Sequence, residues 1–255
     1  VSGVKMIVTD LDRTLLRTDK TISAYTARML ADCRTRGMLA AFATARPLRS
    51  ARAFVEQVTV DCQICHNGAL AVMEGQKLFC HGITPSDVNS VMGQLLAMFE
   101  KPKLSVEIDD RLYANFAVDT AWNLTGAVRT DFSDLPRLPA EKIVIGLSGV
   151  GDAVRIAQML PAHLYVQVSD GKLGLIMNRA ATKWNAIADV AERLGIGVGE
   201  IVAFGDDLND ISMLRGCGVG VAVGNALDEV KAVADVVCGG NDDDGVAKWI
   251  EENLL

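Results

Sequence analysis

Several polar residues in this sequence stand where an open parallel sheet would expose them. Asp10 and Asp12 follow the first apolar burst, and Thr44 closes a second. Gly205-Asp206-Asp207-Leu208-Asn209-Asp210 follows a later strand, and Lys183 opens a helix. These residue types suit phosphoryl transfer. A phosphate ester dianion repels an attacking carboxylate, so a site that uses one must first neutralise charge. Magnesium takes oxygen ligands and keeps several waters, so one or two carboxylates hold it. Asp10 and Asp206 can supply them, with a backbone carbonyl near Asp12 as a further oxygen. Lys183 adds a fixed positive charge for the phosphoryl oxygens, and Thr44 a hydroxyl donor. Asp12 can protonate the leaving oxygen, then deprotonate the water that hydrolyses an aspartyl-phosphate. Singly, each residue has an ordinary reading as a turn, a cap or a solvated side chain. The set does not, because three carboxylate-bearing loops without a cation would repel one another.

The elements that must position these groups follow from periodicity. Residues 5–9, 38–44 and 63–65 read as short apolar strands, separated by helices over 23–36 and from Pro47 to about 57. Thr21 or Ser23 caps the first helix and Gly37 follows its end. This β-α-β-α-β order implies a parallel sheet covered on both faces. After the Asn67-Gly68 turn the style changes. A hairpin about Glu74-Gly75, a helix over 85–99, strands over 104–108 and 112–116, an irregular stretch holding Trp122, a strand over 143–147, a helix over 152–159 and strands over 165–168 and 173–177 suggest an α+β unit. The first style returns with a helix over 183–194 and a strand over 201–204. An acidic loop, strands over 219–223 and 236–238, a helix over 227–234 and a last helix from Val246 complete it. The expected fold is α/β: a doubly wound, Rossmann-like core of residues 1–81 and 179–255, interrupted by an α+β cap over 82–178. In such sheets ligands sit beyond the C-terminal strand ends, where the polar residues fall.

The 255 residues carry a net charge of −7, which disfavours nucleic acid or an anionic membrane as partner and leaves room for a local phosphate pocket. No apolar run approaches the ~18 residues that span a bilayer, and no signal peptide is visible, so a cytoplasmic location is expected. The six cysteines read as small buried hydrophobes. Cys62-Gln63-Ile64-Cys65-His66 fits the C-x-x-C-H pattern of haem attachment. It is read instead as a short strand running into the Asn67-Gly68 turn.

Asp10-Leu11-Asp12-Arg13-Thr14-Leu15-Leu16 resembles the D-x-D-x-T signature of the haloacid dehalogenase superfamily. Ala43-Thr44-Ala45-Arg46 is similar to its second motif, Lys183 to its third, and Gly205 through Asp210 to its G-D-x-x-N-D fourth. Their order and separation resemble the Cof-type branch, as do Asn67-Gly68-Ala69 and Asp244-Gly245-Val246-Ala247. The likeness runs essentially end to end. It implies a magnesium-dependent phosphatase acting on small phosphorylated metabolites, such as sugar phosphates, with Asp10 as nucleophile and Asp12 as general acid/base. Magnesium would sit on the side chains of Asp10 and Asp206 and the carbonyl of Asp12. Thr44, the Ala45 backbone, Lys183 and Asn209 would hold the phosphoryl group. Asp210 would orient Lys183, and Asp207 would lie near the metal. Arg13, Ala45 and Trp184 depart from the usual pattern, each standing where Gly is common, and Arg13 and Trp184 would bear on access or specificity.

A sugar phosphomutase of the same superfamily is the alternative. A signalling receiver domain lacks the second Asp, and intact Asp10 and Asp12 argue against a silent phosphate binder. The four motifs hold only the phosphoryl group, the metal and the leaving oxygen, so the insert is expected to contact the rest of the substrate. Replacing it with a short Gly/Ser linker should leave weak hydrolysis of p-nitrophenyl phosphate and cost far more on the preferred metabolite. Equal losses on both, in a folded variant, would put substrate choice in the core.

Overall fold

A computed structural model of the chain describes residues 3–55, 57–119, 126–169 and 171–255. It divides into one unit of Val1–Phe79 with Thr182–Leu255 and a second of Cys80–Ala181. The first begins with β1 (Met6–Thr9), α1 (Ala24–Thr35), β2 (Leu39–Ala43), α2 (Leu48–Val55) and β3 (Cys62–Cys65). The hairpin strands β4 (Leu70–Met73) and β5 (Gln76–Cys80) follow. Ser23 caps α1 by accepting from the Thr26 amide, which stabilises the helix start by about 1 kcal/mol. Glu74 and Gly75 both have positive φ, 50° and 77°, as a tight two-residue hairpin turn requires.

The second unit holds α3 (Pro85–Met98), β6 (Leu104–Ile108), β7 (Arg111–Ala114), β8 (Val128–Arg129), β9 (Ala140–Gly146), α4 (Val150–Met159), β10 (Leu164–Ser169) and β11 (Leu173–Asn178). Its strands form one sheet in the order β10-β11-β9-β6-β7-β8. All its pairings are antiparallel except the short one of β7 with β8. Val88, Val91, Met92 and Leu95 of α3 and Ile156 of α4 pack with Val106, Ile143, Ile145 and Ile176 of the sheet in its own core. β9 starts three residues before the expected strand, and β8 carries too few residues to leave a periodic signal. Trp122 lies outside the described residues.

The chain then returns to the first unit with α5 (Lys183–Leu194), β12 (Ile201–Gly205), α6 (Ile211–Gly216), β13 (Val219–Ala222), α7 (Asp228–Lys231), β14 (Val236–Val237) and α8 (Gly245–Asn253). The sheet order is β14-β13-β12-β1-β2-β3-β4-β5. It is parallel from β14 to β3, and β4 joins antiparallel. β1 is the middle of the parallel part, flanked by β12 and β2, so the strand order reverses direction there. Its four residues are at most 1% exposed, which is why the strand reads as an unbroken apolar run. Two differences from the sequence reading stand out. α6 was expected as loop, because six residues carry too little periodicity. α7 is only four residues long; the chain turns after it and reaches β14 at the expected residue, with the Asp235 carboxylate before it accepting from the Gly220 amide at 2.8 Å.

Cys62 and Cys65 lie on β3, three positions apart, so their side chains leave opposite faces of the strand. Both are buried, as is His66, and burial pushes the Cys62 thiol up to about 12. No surface pair is available for haem attachment or redox exchange. Purified protein should show no haem absorbance, and Cys62→Ser should keep wild-type activity; a Soret band would overturn this reading.

Candidate active site

The centre of the first unit's sheet brings Asp10, Lys183, Asp206 and Asp210 to one place. Asp10 follows β1, and its amide donates to the Phe204 carbonyl of β12 at 2.9 Å. Thr44 follows β2, with its amide on the Ile64 carbonyl and its own carbonyl taking the Asn67 amide. Asp206 follows β12. Lys183 is the first residue of α5, whose N-cap Thr182 accepts from the Asn185 amide.

Lys183 is 1% exposed and donates to Asp10 Oδ1 at 2.7 Å and to Asp210 Oδ1 at 2.6 Å. Burial and a helix N-terminus both disfavour a cation. Burial pulls the Lys183 ammonium down, but Asp10 and Asp210 more than reverse this and raise it above the ordinary lysine value. Two of its three protons are thus spent, and the third can meet a phosphoryl oxygen. For Asp10 burial is the larger influence and pushes the carboxyl up to about 7, against the pull of Lys183. Burial likewise lifts Asp206 to about 6, opposed by the Thr14 hydroxyl that donates to its Oδ1 at 2.8 Å.

Carboxylate oxygens of Asp10, Asp206 and Asp210 lie within 4.8 Å of one another. Asp210 is already committed: Oδ1 holds Lys183, and Oδ2 accepts from the Asp206 and Asp207 amides at 2.9 and 3.1 Å. That leaves Asp10 and Asp206, an all-oxygen pair suited to a hard divalent cation. Gly205 permits the arrangement, since a Cβ there would stand 2.5 Å from the Asp210 Cβ. Gly68 does the same for Lys183. At φ +103°, with a Cβ that would lie 2.1 Å from the Thr182 carbonyl oxygen, only glycine lets this turn pack against the start of α5.

Asp12 turns elsewhere. Arg46 grips it with Nε on Oδ2 at 2.5 Å and an Nη on Oδ1 at 2.6 Å, and Lys20 adds a bond to Oδ1 at 2.7 Å. Partial burial pushes its carboxyl up, and the Arg46 and Lys20 bonds outweigh that and hold it below the ordinary value. Ala45 is exposed at the same loop. Asn209 is exposed and bonded to Asn67 Oδ1 at 2.9 Å. Asp207 is not drawn into the carboxylate cluster; it is exposed and caps the Leu208 amide at 2.7 Å. Trp184 is half-buried. Its ring packs on Gly216, where a Cβ would lie 2.4 Å from it, and it joins the hydrophobic core. Arg46, Lys20, Thr14 and Asn67 were not assigned roles from sequence, although Arg46, Thr14 and Asn67 stand inside quoted motifs.

The sequence profile of the haloacid dehalogenase-like hydrolases matches residues 7–250. The chain belongs to this family. A putative phosphatase of Haemophilus influenzae is 28% identical over 98% of both chains. The 5-amino-6-(5-phospho-D-ribitylamino)uracil phosphatase YitU of Bacillus subtilis is 26% identical over 97% of this chain and 96% of its own. A solved structure from Geobacillus kaustophilus superposes with a TM-score of 0.88 at 22% identity over 98% of both chains, which shows a shared fold. With relatives of this kind over its whole length, this haloacid dehalogenase-like hydrolase is a phosphatase, a phosphoric monoester hydrolase. Family members generally use a divalent metal, and the Asp10–Asp206 pair fits one. Among the described residues, no helix is long and apolar enough to cross a membrane.

A pH dependence follows from the two raised carboxyls. Their ordinary value is 3.8 and their folded values are about 7 and about 6. The metal-free fold therefore keeps protons that the unfolded chain releases. The stability this contributes is complete below pH 3.8 and is lost as pH rises through about 7. A divalent cation has to displace those protons, so the gain in Tm from magnesium should be small at about pH 5 and larger at about pH 8. An equal gain at both pH values would show that these carboxylates are not the ligands.

Proposed function

We propose that this phosphatase hydrolyses small phosphorylated metabolites, sugar phosphates or a related phosphoester, through an aspartyl-phosphate on Asp10 with magnesium as cofactor. The observation that carries it is the cluster of Asp10, Asp206 and Asp210 around a single buried ammonium. Magnesium on Asp10, Asp206 and the Asp12 carbonyl would supply the missing positive charge. Lys183, Thr44, Asn209 and the Ala45 amide hold the phosphoryl oxygens, and Asp210 keeps Lys183 aimed.

The Asp10 carboxylate attacks phosphorus, the ester P–O bond breaks, and the Asp12 carboxyl gives its proton to the leaving alcohol oxygen. Asp12, now ionised, takes a proton from water. That water attacks the same phosphorus, the P–O bond to Asp10 breaks, and inorganic phosphate leaves. In the substrate-free protein Arg46 and Lys20 keep Asp12 ionised. An arriving dianion competes for those cations and so favours the proton on Asp12. The substrate class draws on relatives named for acting on a phosphoribityl compound. A cytoplasmic location accords with a metabolite substrate.

Asp10→Asn should abolish phosphate release while keeping the fold, and Asp12→Asn should slow it by about 10² to 10⁴. Chelation should stop turnover and magnesium restore it. Wild-type rates in Asp10→Asn, or full activity in excess chelator, would sink the mechanism. Phosphate release from a single substrate in a panel of small phosphoesters separates hydrolysis from the phosphomutase alternative.

A further inference from the structure

The loop that presents Asp12 is built on a residue in an unfavourable conformation. Arg13 has φ 62°, the left-handed region that penalises any residue with a Cβ and that glycine enters freely. A contact from far along the chain compensates. The Arg13 carbonyl accepts from Asn225 Nδ2 at 2.8 Å. Asn225 is itself oriented, because its Oδ1 accepts from the Asn241 amide at 2.9 Å. Asn241, 5% exposed, then donates through Nδ2 to the Leu16 carbonyl at 2.9 Å. Two linked asparagines thus hold carbonyls at both ends of the turn from 13 to 16. The rest of the C-terminal segment continues the brace. Asp242 accepts from the Thr18 amide and hydroxyl, both at 2.7 Å. Asp244 accepts from two nitrogens of Arg17.

We infer that Asn225 is a positioning residue for Asp12: it holds the Arg13 carbonyl and thereby keeps the left-handed turn that aims the neighbouring carboxylate. It donates to the backbone of the catalytic loop and acts through it. The inference rests on the phosphatase reading with Asp12 as acid and base. It also accounts for a residue larger than glycine being tolerated at position 13.

The test is steady-state hydrolysis of an alkyl phosphate ester with magnesium by wild type, Asn225→Ala, Arg13→Gly and the double variant, with folding checked by thermal unfolding. Asn225→Ala should lose about 10- to 100-fold in kcat, as misplaced catalytic groups do. KM should stay within about twofold, since the groups holding the phosphoryl oxygens are untouched. Adding Arg13→Gly should recover about fivefold, because glycine removes the left-handed penalty. If Asn225→Ala fails to fold, Asn225→Asp keeps the acceptor for Asn241, loses the donor to Arg13 and should show the same loss and the same recovery. Wild-type kcat in the Asn225 variant, or a loss that Arg13→Gly leaves unchanged, overturns the inference. A wild-type protein that releases no phosphate would instead fault the phosphatase reading itself.

Discussion

Lys183 sits fully buried at the first turn of α5, among more negative charge than it can balance. Asp10 and Asp210 hold its ammonium at 2.7 and 2.6 Å, and Asp206 brings a third carboxylate into the same few ångströms. With all three ionised the pocket carries two net negative charges, in a setting where unpaired charge is costly. Burial accordingly pushes the carboxyls of Asp10 and Asp206 up, to about 7 and about 6, which favours their protonated forms. A divalent cation held by Asp10 and Asp206 would relieve the same repulsion without protonation. Affinity for a cation and the ionisation of Asp10 thus have one electrostatic origin.

That charge cluster depends on backbones approaching more closely than a side chain would allow. Asp210 can lie under the loop that carries Asp206 only because position 205 has no Cβ. Its carboxylate then bonds two amides of that loop and Lys183 together, so one residue couples the end of β12 to the start of α5. The turn at Gly68 fits α5 by the same means. Each is a steric condition, since a Cβ would stand at 2.5 or 2.1 Å from its neighbour, and each bears directly on where an ionised group sits.

Asp12 answers to a different set of partners. Arg46 and Lys20 surround its carboxylate, while the turn beneath it is braced by Asn225, Asn241 and Asp244 from the far end of the chain. Asp10 and Asp12 are two residues apart in sequence, yet they occupy opposite electrostatic surroundings. Asp10 is lifted by burial and Asp12 lowered by two cations. Two identical side chains thereby differ in proton affinity, as the two roles proposed for them require.

Much of this was legible in the sequence. Short apolar runs ending in Asp10, Thr44 and Gly205 reveal a parallel sheet, because strands covered on both faces must be apolar throughout and polar groups gather where they end. The full extent of α5, Lys183–Leu194, was legible in the sequence. Carboxylates, lysine and threonine at strand and helix ends announced phosphoryl chemistry by their types alone. What the sequence could not show is how contacts over long separations divide the work. By residue type Asp207 and Asp210 read alike as acidic loop residues; the family resemblance alone told them apart, and packing under Gly205 is the physical reason that Asp210 meets Lys183 while Asp207 is left as an exposed cap. Trp184 stands beside Lys183 in sequence, but the helix turns its ring onto Gly216 and against the core. Arg46, Lys20 and Asn225 carry no local signal of what they hold, since their partners are set by which loops the sheet brings together. Local pattern follows from side-chain period and solvent, which each segment carries in itself; the pairing of charges depends on distances that exist only once the strands have been ordered.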